Sequence, residues 1–210
     1  MPVSLIKKNV HNYKKELLEC IKTDTISQGE EVTLSSGKKS NLYVDSKIVT
    51  LSPKGAYLTG MVLTDALKGV DFDAIGGMTM GADPIVGAFA AISYNTSNHD
   101  KSTFIIRKEP KKHGKQKWIE GPLKPNSKVV IIDDVTTTGE SILNSIKVIK
   151  ENTNCQIVKI ISLVDRLEGA SEKLKEEGYV LESIFTRRDL LNQSETVGNN
   201  EPTRTITALN

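Results

Sequence analysis

The sequence predicts an α/β domain with parallel strands and a small cap at its N-terminus. Three observations carry that expectation. The strand-like segments are continuous Val/Ile runs, such as Val129-Val130-Ile131-Ile132, and such runs mark strands covered on both faces. From residue 74 onward the pattern repeats as strand then helix. The chain has 210 residues, 38% hydrophobic and 26% charged, which is enough apolar material for one core and too much for a disordered chain.

Residues 3–22 place Ile6, Val10, Tyr13, Leu17, Leu18 and Ile21 near one face of a helix. Residues 26–50 read as two strands around the polar turn Ser35-Ser36-Gly37-Lys38, the second running from Asn41 to Thr50. Ser52-Pro53 combines an N-cap with proline at the first helical position, and Gly69 is a stop. A short strand over Ala74–Gly77 leads to a helix from about Asp83 to Tyr94. The strand Thr103–Arg107 leads into a basic loop. Lys128–Asp133 is a strand before a helix from Gly139 to Glu151, and Ile157–Val164 precedes a helix over Glu168–Glu177. A last strand covers Val180–Phe185, and residues 193–210 form a polar, loose tail. One domain over 1–210 is expected, with residues 1–50 supplying the first helix and a hood hairpin.

Several classes are disfavoured. No apolar run is long enough to cross a bilayer, and no charged head with an apolar block opens the chain. Cys20 and Cys155 lie far apart, without a C-x-x-C pattern or a neighbouring histidine, so they read as thiols of a reducing cytoplasm. Net charge is +2, but residues 107–117 alone carry +5 and the remainder −3. A concentrated cationic segment needs an anion, or it is a solvated loop.

The strongest signal is Val129-Val130-Ile131-Ile132-Asp133-Asp134-Val135-Thr136-Thr137-Thr138-Gly139-Glu140-Ser141. Ligands of open α/β sheets bind at the carboxyl ends of strands. A small-residue loop opening a helix points free N–H groups at that place, which suits a phosphate. Thr136, Thr137, Thr138 and Ser141 add hydroxyls. Asp133 and Asp134 would repel phosphate, so sugar hydroxyls, or a Mg²⁺ bound to them, are their natural partners. Phosphate and ribose side by side mean a phosphorylated ribose. No Gly-Lys-Ser/Thr follows the loop and no G-x-G-x-x-G occurs, which disfavours a Walker A site and a dinucleotide fold.

This segment resembles the phosphoribosyl pyrophosphate (PRPP) motif of type I phosphoribosyltransferases. The resemblance implies a mostly parallel five-stranded sheet flanked by helices, with a hood. It also implies ribose on Asp133 and Asp134 and the 5′-phosphate on residues 136–141, Gly139 and Glu140 included. Three further segments resemble the orotate branch of that family. Arg107-Lys108-Glu109-Pro110-Lys111-Lys112-His113-Gly114 is similar to its mobile catalytic loop, which implies roles for Arg107, Lys108, Lys111 and His113 at pyrophosphate, partly in a neighbouring subunit's site. Ser36-Gly37-Lys38-Lys39-Ser40-Asn41-Leu42-Tyr43 is similar to its hairpin near the base, which brings in Lys38, Ser40 and Tyr43. Arg166 follows a buried strand, where a guanidinium needs a carboxylate. The family's carboxylate is that of orotate; a structural pair with Asp165 or Glu168 is the bland alternative.

The implied enzyme is a Mg²⁺-dependent homodimer, the ion carried mainly by PRPP with Asp133 and Asp134 as candidate side chains. Two departures stand out: Ser35 and the loop Gly77–Pro84 hold no lysine where many members have one. Lys38 and Lys39 lie beside the first. A purine-type transferase is disfavoured by Arg166, since purines lack a carboxylate. A PRPP-sensing regulator is disfavoured because the first 25 residues are too few for a nucleic-acid module and no basic aromatic patch exists elsewhere.

Overall fold

The computed structural model describes residues 10–33, 39–96, 101–110 and 117–192, and for residues 10, 26–33 and 39–43 it describes the backbone alone. Helix α1 (Val10–Thr25) buries Leu17 and Ile21, with Tyr13 and Leu18 partly buried beside them. The predicted residues 3–9 of this helix and the tail 193–210 lie outside the described residues.

Strands β1 (Ile26–Thr33) and β2 (Lys39–Val44) form an antiparallel pair, from Ile26 opposite Val44 to Thr33 opposite Lys39, with a bulge between Gln28 and Val32. The turn at 34–38 falls outside the described residues. The expected second strand to Thr50 is corrected: β2 stops at Val44 and α2 (Ser46–Thr50) follows. Asp45 causes the switch. Its Oδ1 accepts the Lys47 backbone N–H at 3.1 Å and pairs with Lys47 Nζ at 2.7 Å. This N-cap outweighs the strand preference of Ile48, Val49 and Thr50. Helix α3 (Pro53–Ala66) starts as predicted, with Ser52 Oγ accepting from Gly55 N at 3.0 Å.

The main sheet comprises β3 (Ala74–Met78), β4 (Ser102–Ile106), β5 (Ile119–Glu120), β6 (Lys128–Thr136), β7 (Gln156–Asp165) and β8 (Leu181–Thr186). Its order is β5-β4-β3-β6-β7-β8. Five of these strands run parallel, as expected. The sixth, β5, is an antiparallel edge strand on β4, and two residues have no periodicity to announce it. Helices α4 (Ala82–Ser93), α5 (Glu140–Asn152), α6 (Ala170–Glu176) and α7 (Arg187–Leu191) complete the order. No helix among the described residues is long and apolar enough to cross a membrane.

The apolar run of β6 is continuous because helices cover both faces. Val130 and Ile132 pack with Leu58 and Val62 of α3 and Ile85 and Phe89 of α4. Ile131 packs with Ile142 and Ile146 of α5, and Val129 with Val148 and Ile149. β6 runs three residues beyond its expected end, pairing Thr136 with Asp165. The acid pair is thus held within the ladder.

Candidate active site

Side chains alternate across a strand, so β6 sends its two acids to opposite faces. Asp133 follows Val129 and Ile131 toward α5, and Asp134 follows Val130 and Ile132 toward the α3/α4 layer. Asp133 is 5% exposed, and its Oδ2 lies 2.9 Å from Thr136 Oγ1 and 2.9 Å from Ser141 Oγ of α5. Asp134 is half-buried, and its Oδ2 accepts from Ser46 Oγ of α2 at 2.7 Å.

Ser162 Oγ donates to the Val164 carbonyl at 2.8 Å, so it accepts from Thr136 Oγ1 at 2.8 Å. Thr136 Oγ1 thus lies between the Asp133 carboxylate and Ser162 Oγ and faces both. Burial first, then the charge of Asp134, push Asp133 up to about 7, against hydrogen bonds from Ser141, Thr136 and the Asp134 backbone N–H. A folded pKa raised above the ordinary 3.8 gives stability that is full below about 4 and lost as pH rises through about 7. The unliganded protein is therefore expected to lose stability between pH 5 and 7 on this account, by at most about 1.4 kcal/mol per pH unit. Asp133→Asn, neutral throughout, removes that slope. Urea unfolding of both proteins across the range checks this; parallel curves would mean that Asp133 is ionised throughout.

The turn after β6 is set by Gly139, at φ +79°, which starts α5. A Cβ there would also meet Ala170 at 3.3 Å. A groove of about 540 Å³ joins Thr137, Thr138, Gly139, Glu140 and Ser141 to Arg107 and Lys108. The α5 N-terminus and the base of the cationic segment thus share one cavity, a setting for an anion with several charges. Thr136 does not line it: the residue is 1% exposed and its hydroxyl is engaged by Asp133 and Ser162. Glu140 is exposed at the helix start. Arg107 Nη1 lies 3.5 Å from Glu120, and its Nε donates to the Glu109 carbonyl at 3.3 Å. Lys111, Lys112 and His113 lie outside the described residues.

Arg166 is 2% exposed in the turn after β7, and its backbone N–H donates to the Thr136 carbonyl at 2.9 Å. Its Nη2 meets Glu168 Oε1 at 2.9 Å, and Arg187 approaches the same oxygen at 3.7 Å. One carboxylate serves two guanidinium groups. Burial, before any charge effect, lowers the Arg166 pKa, and Glu168 opposes that. Ser40 and Tyr43 sit on β2 opposite Val32 and Ser27, their side chains outside the description, and Lys38 lies outside the described residues.

Sequence reasoning missed several residues here. Ser46 reaches Asp134 from 88 positions away, and no local pattern announces such a bond. Thr79 Oγ1 donates to Asp83 Oδ2 at 2.7 Å and fixes the turn after β3, where Met80 is 67% exposed. The Thr-x-x-x-Asp spacing at a helix start was the available signal.

Comparison with known proteins places this arrangement. Residues 71–187 match the phosphoribosyl transferase domain. Orotate phosphoribosyltransferase of Aquifex aeolicus is 41% identical over 180 residues, covering 85% of this chain and 97% of that protein. Its counterpart in Corynebacterium glutamicum is 40% identical, covering 84% and 93%. Among solved structures, orotate phosphoribosyltransferase of Mycobacterium tuberculosis in complex with PRPP is similar at TM-score 0.69 and 28% identity, covering 85% of this chain and 98% of that one. An adenine phosphoribosyltransferase of Thermoanaerobacter pseudethanolicus, 22% identical with TM-score 0.60 over 80% and 99%, shares the fold.

Proposed function

The chain belongs to the phosphoribosyl transferase family, among its orotate phosphoribosyltransferases, and on that premise we propose how it transfers the phosphoribosyl group of PRPP to orotate, giving orotidine 5′-monophosphate and pyrophosphate in pyrimidine synthesis. The enzyme is a pentosyltransferase, a glycosyltransferase. The observation that carries the reading is the hydroxyl and glycine turn that follows the acid pair of β6, in a cleft shared with Arg107 and Lys108.

Orotate N1 attacks C1′ as pyrophosphate leaves, with oxocarbenium character at the sugar. The protein's task is positioning and charge, since no covalent nucleophile is needed. Asp133 and Asp134 hold the ribose hydroxyls. Thr137, Thr138, Ser141 and the backbone of 137–141 take the 5′-phosphate, while Thr136 braces Asp133 from behind. Arg107, Lys108 and Lys111 offset charge on the leaving group, and His113 assists there. Lys38, Ser40, Tyr43 and Arg166 hold the base. The glycine-rich loop Gly77–Pro84 has no lysine, so its contacts to pyrophosphate come from backbone N–H groups.

Among the described residues no three His, Cys, Asp or Glu converge into a protein-only metal site. A Mg²⁺ ion would arrive mainly on PRPP, with Asp133 or Asp134 as the candidate side chain beside it. When bound, the ion neutralises part of the diphosphate charge. We place the protein in the cytoplasm, as one domain over 1–210 and as a homodimer whose basic segment reaches the neighbouring site.

The test is PRPP-dependent consumption of orotate with Mg²⁺, followed by ultraviolet absorbance, against adenine, hypoxanthine and uracil. Turnover with orotate alone is expected. Turnover with a purine instead, or PRPP binding without any transfer, would reject this substrate assignment.

A further inference from the structure

We propose that Ser46 is a positioning residue for this reaction: it fixes the Asp134 carboxylate for the ribose and ties the base-side hairpin to the sugar site. The inference rests on Asp134 being a ribose-binding acid.

Ser46 is 0% exposed, and its hydroxyl donates to Asp134 Oδ2 at 2.7 Å. A buried hydroxyl is costly unless bonded, and this one is bonded to an ionisable group from a distant part of the chain. Its backbone is held in turn. Asp45 caps α2 through Lys47 N, and Asp45 N donates to the Thr25 carbonyl at 3.3 Å. β2 ends one residue before that cap, so the strand that carries Ser40 and Tyr43 runs directly into the residue that seats Asp134.

A second element frames the same carboxylate. A Cβ on Gly81 would stand 2.1 Å from Asp134 Oδ1 and 2.4 Å from its Cγ. Gly81 has φ −62° and ψ −43°, ordinary for any residue, so the backbone does not require glycine there. The carboxylate does. An aspartate has two side-chain torsions, and one donor with one close wall selects among its rotamers. Ser46 and Gly81 together supply the donor and the wall.

The test compares wild type, Ser46→Ala, Gly81→Ala, Asp134→Asn and the Ser46→Ala/Asp134→Asn double variant, each checked for folding by thermal melting. Ser46→Ala is expected to raise the KM for PRPP about ten-fold, the size of one hydrogen bond to a charged acceptor, while kcat and the KM for orotate stay within about two-fold. Gly81→Ala acts in the same direction. In the Asp134→Asn background, loss of the hydroxyl costs less than in wild type, because the amide oxygen accepts the bond without a charge. A wild-type KM for PRPP in Ser46→Ala, or effects of Ser46→Ala and Asp134→Asn that multiply, would reduce Ser46 to packing. If Ser46→Ala does not fold, Gly81→Ala decides: an unchanged KM for PRPP there overturns the proposal. Wild-type enzyme that consumes no PRPP with orotate sinks the functional reading itself, and that result is read before any variant.

Discussion

Replacing Lys111 with alanine is expected to lower kcat by about 10²–10³-fold, the usual cost of removing one group that stabilises charge in the transition state. PRPP binding should change far less. The reasoning starts from charge. Residues 107–117 carry +5 in a chain whose remainder sums to −3. Arg107 and Lys108 open that segment, and both line the groove that holds the turn at 137–141. A leaving pyrophosphate gains charge as the C1′ bond breaks, so a cation near it is worth more in the transition state than in the ground state. Arg107 is already engaged by Glu120 at 3.5 Å and by the Glu109 carbonyl, which leaves Lys111 the strongest candidate for offsetting the charge that develops on pyrophosphate. Steady-state kcat with calorimetric Kd for PRPP separates the two effects. Near-normal turnover would take the segment out of the mechanism, and a loss confined to Kd would make it a binding element only.

The strand that carries the acids was legible because its chemistry is local. Four buried aliphatic residues, two acids and a glycine turn lie in one unbroken stretch, and β6 and α5 fall there with ends shifted by one to three residues. What each acid faces was not legible. Alternation says only that Asp133 and Asp134 diverge; α3, α4 and α5 decide which way. The hydroxyls also read alike in sequence, yet Thr136 is inside the ladder and Thr137 lies on the groove. Residues 46–50 looked like strand because Ile48, Val49 and Thr50 favour it, and one capping aspartate reversed that. The short helix α7 was announced by Thr186 and Asp189, which form a capping box, a local signal left unread. The bonds from Ser46 to Asp134 and from Arg187 to Glu168 join distant segments, and no periodicity carries them.

Removing the Arg166 guanidinium is expected to raise the KM for orotate about 100-fold, with the Kd for PRPP held within about three-fold, as for loss of a two-pronged carboxylate contact. Arg166 is buried and its neighbour Arg187 draws on the same Glu168 carboxylate, so the site holds two cations around one shared acid. Under the proposed function, the orotate carboxylate would be a further acid at this guanidinium. The same geometry warns that Arg166→Ala will also cost stability, since Glu168 loses its 2.9 Å partner in a largely buried place. Arg166→Lys keeps a charge with the wrong shape and separates the two effects: it should fold better than Arg166→Ala yet bind orotate poorly. Glu168→Gln probes the opposite side. If Glu168 competes with orotate for the guanidinium, this variant lowers the KM for orotate; if Glu168 instead orients Arg166 for it, the KM rises. An unchanged KM for orotate in both Arg166 variants, with the fold intact, would assign Arg166 to its internal ion pair alone and move orotate recognition to the hairpin around Ser40 and Tyr43.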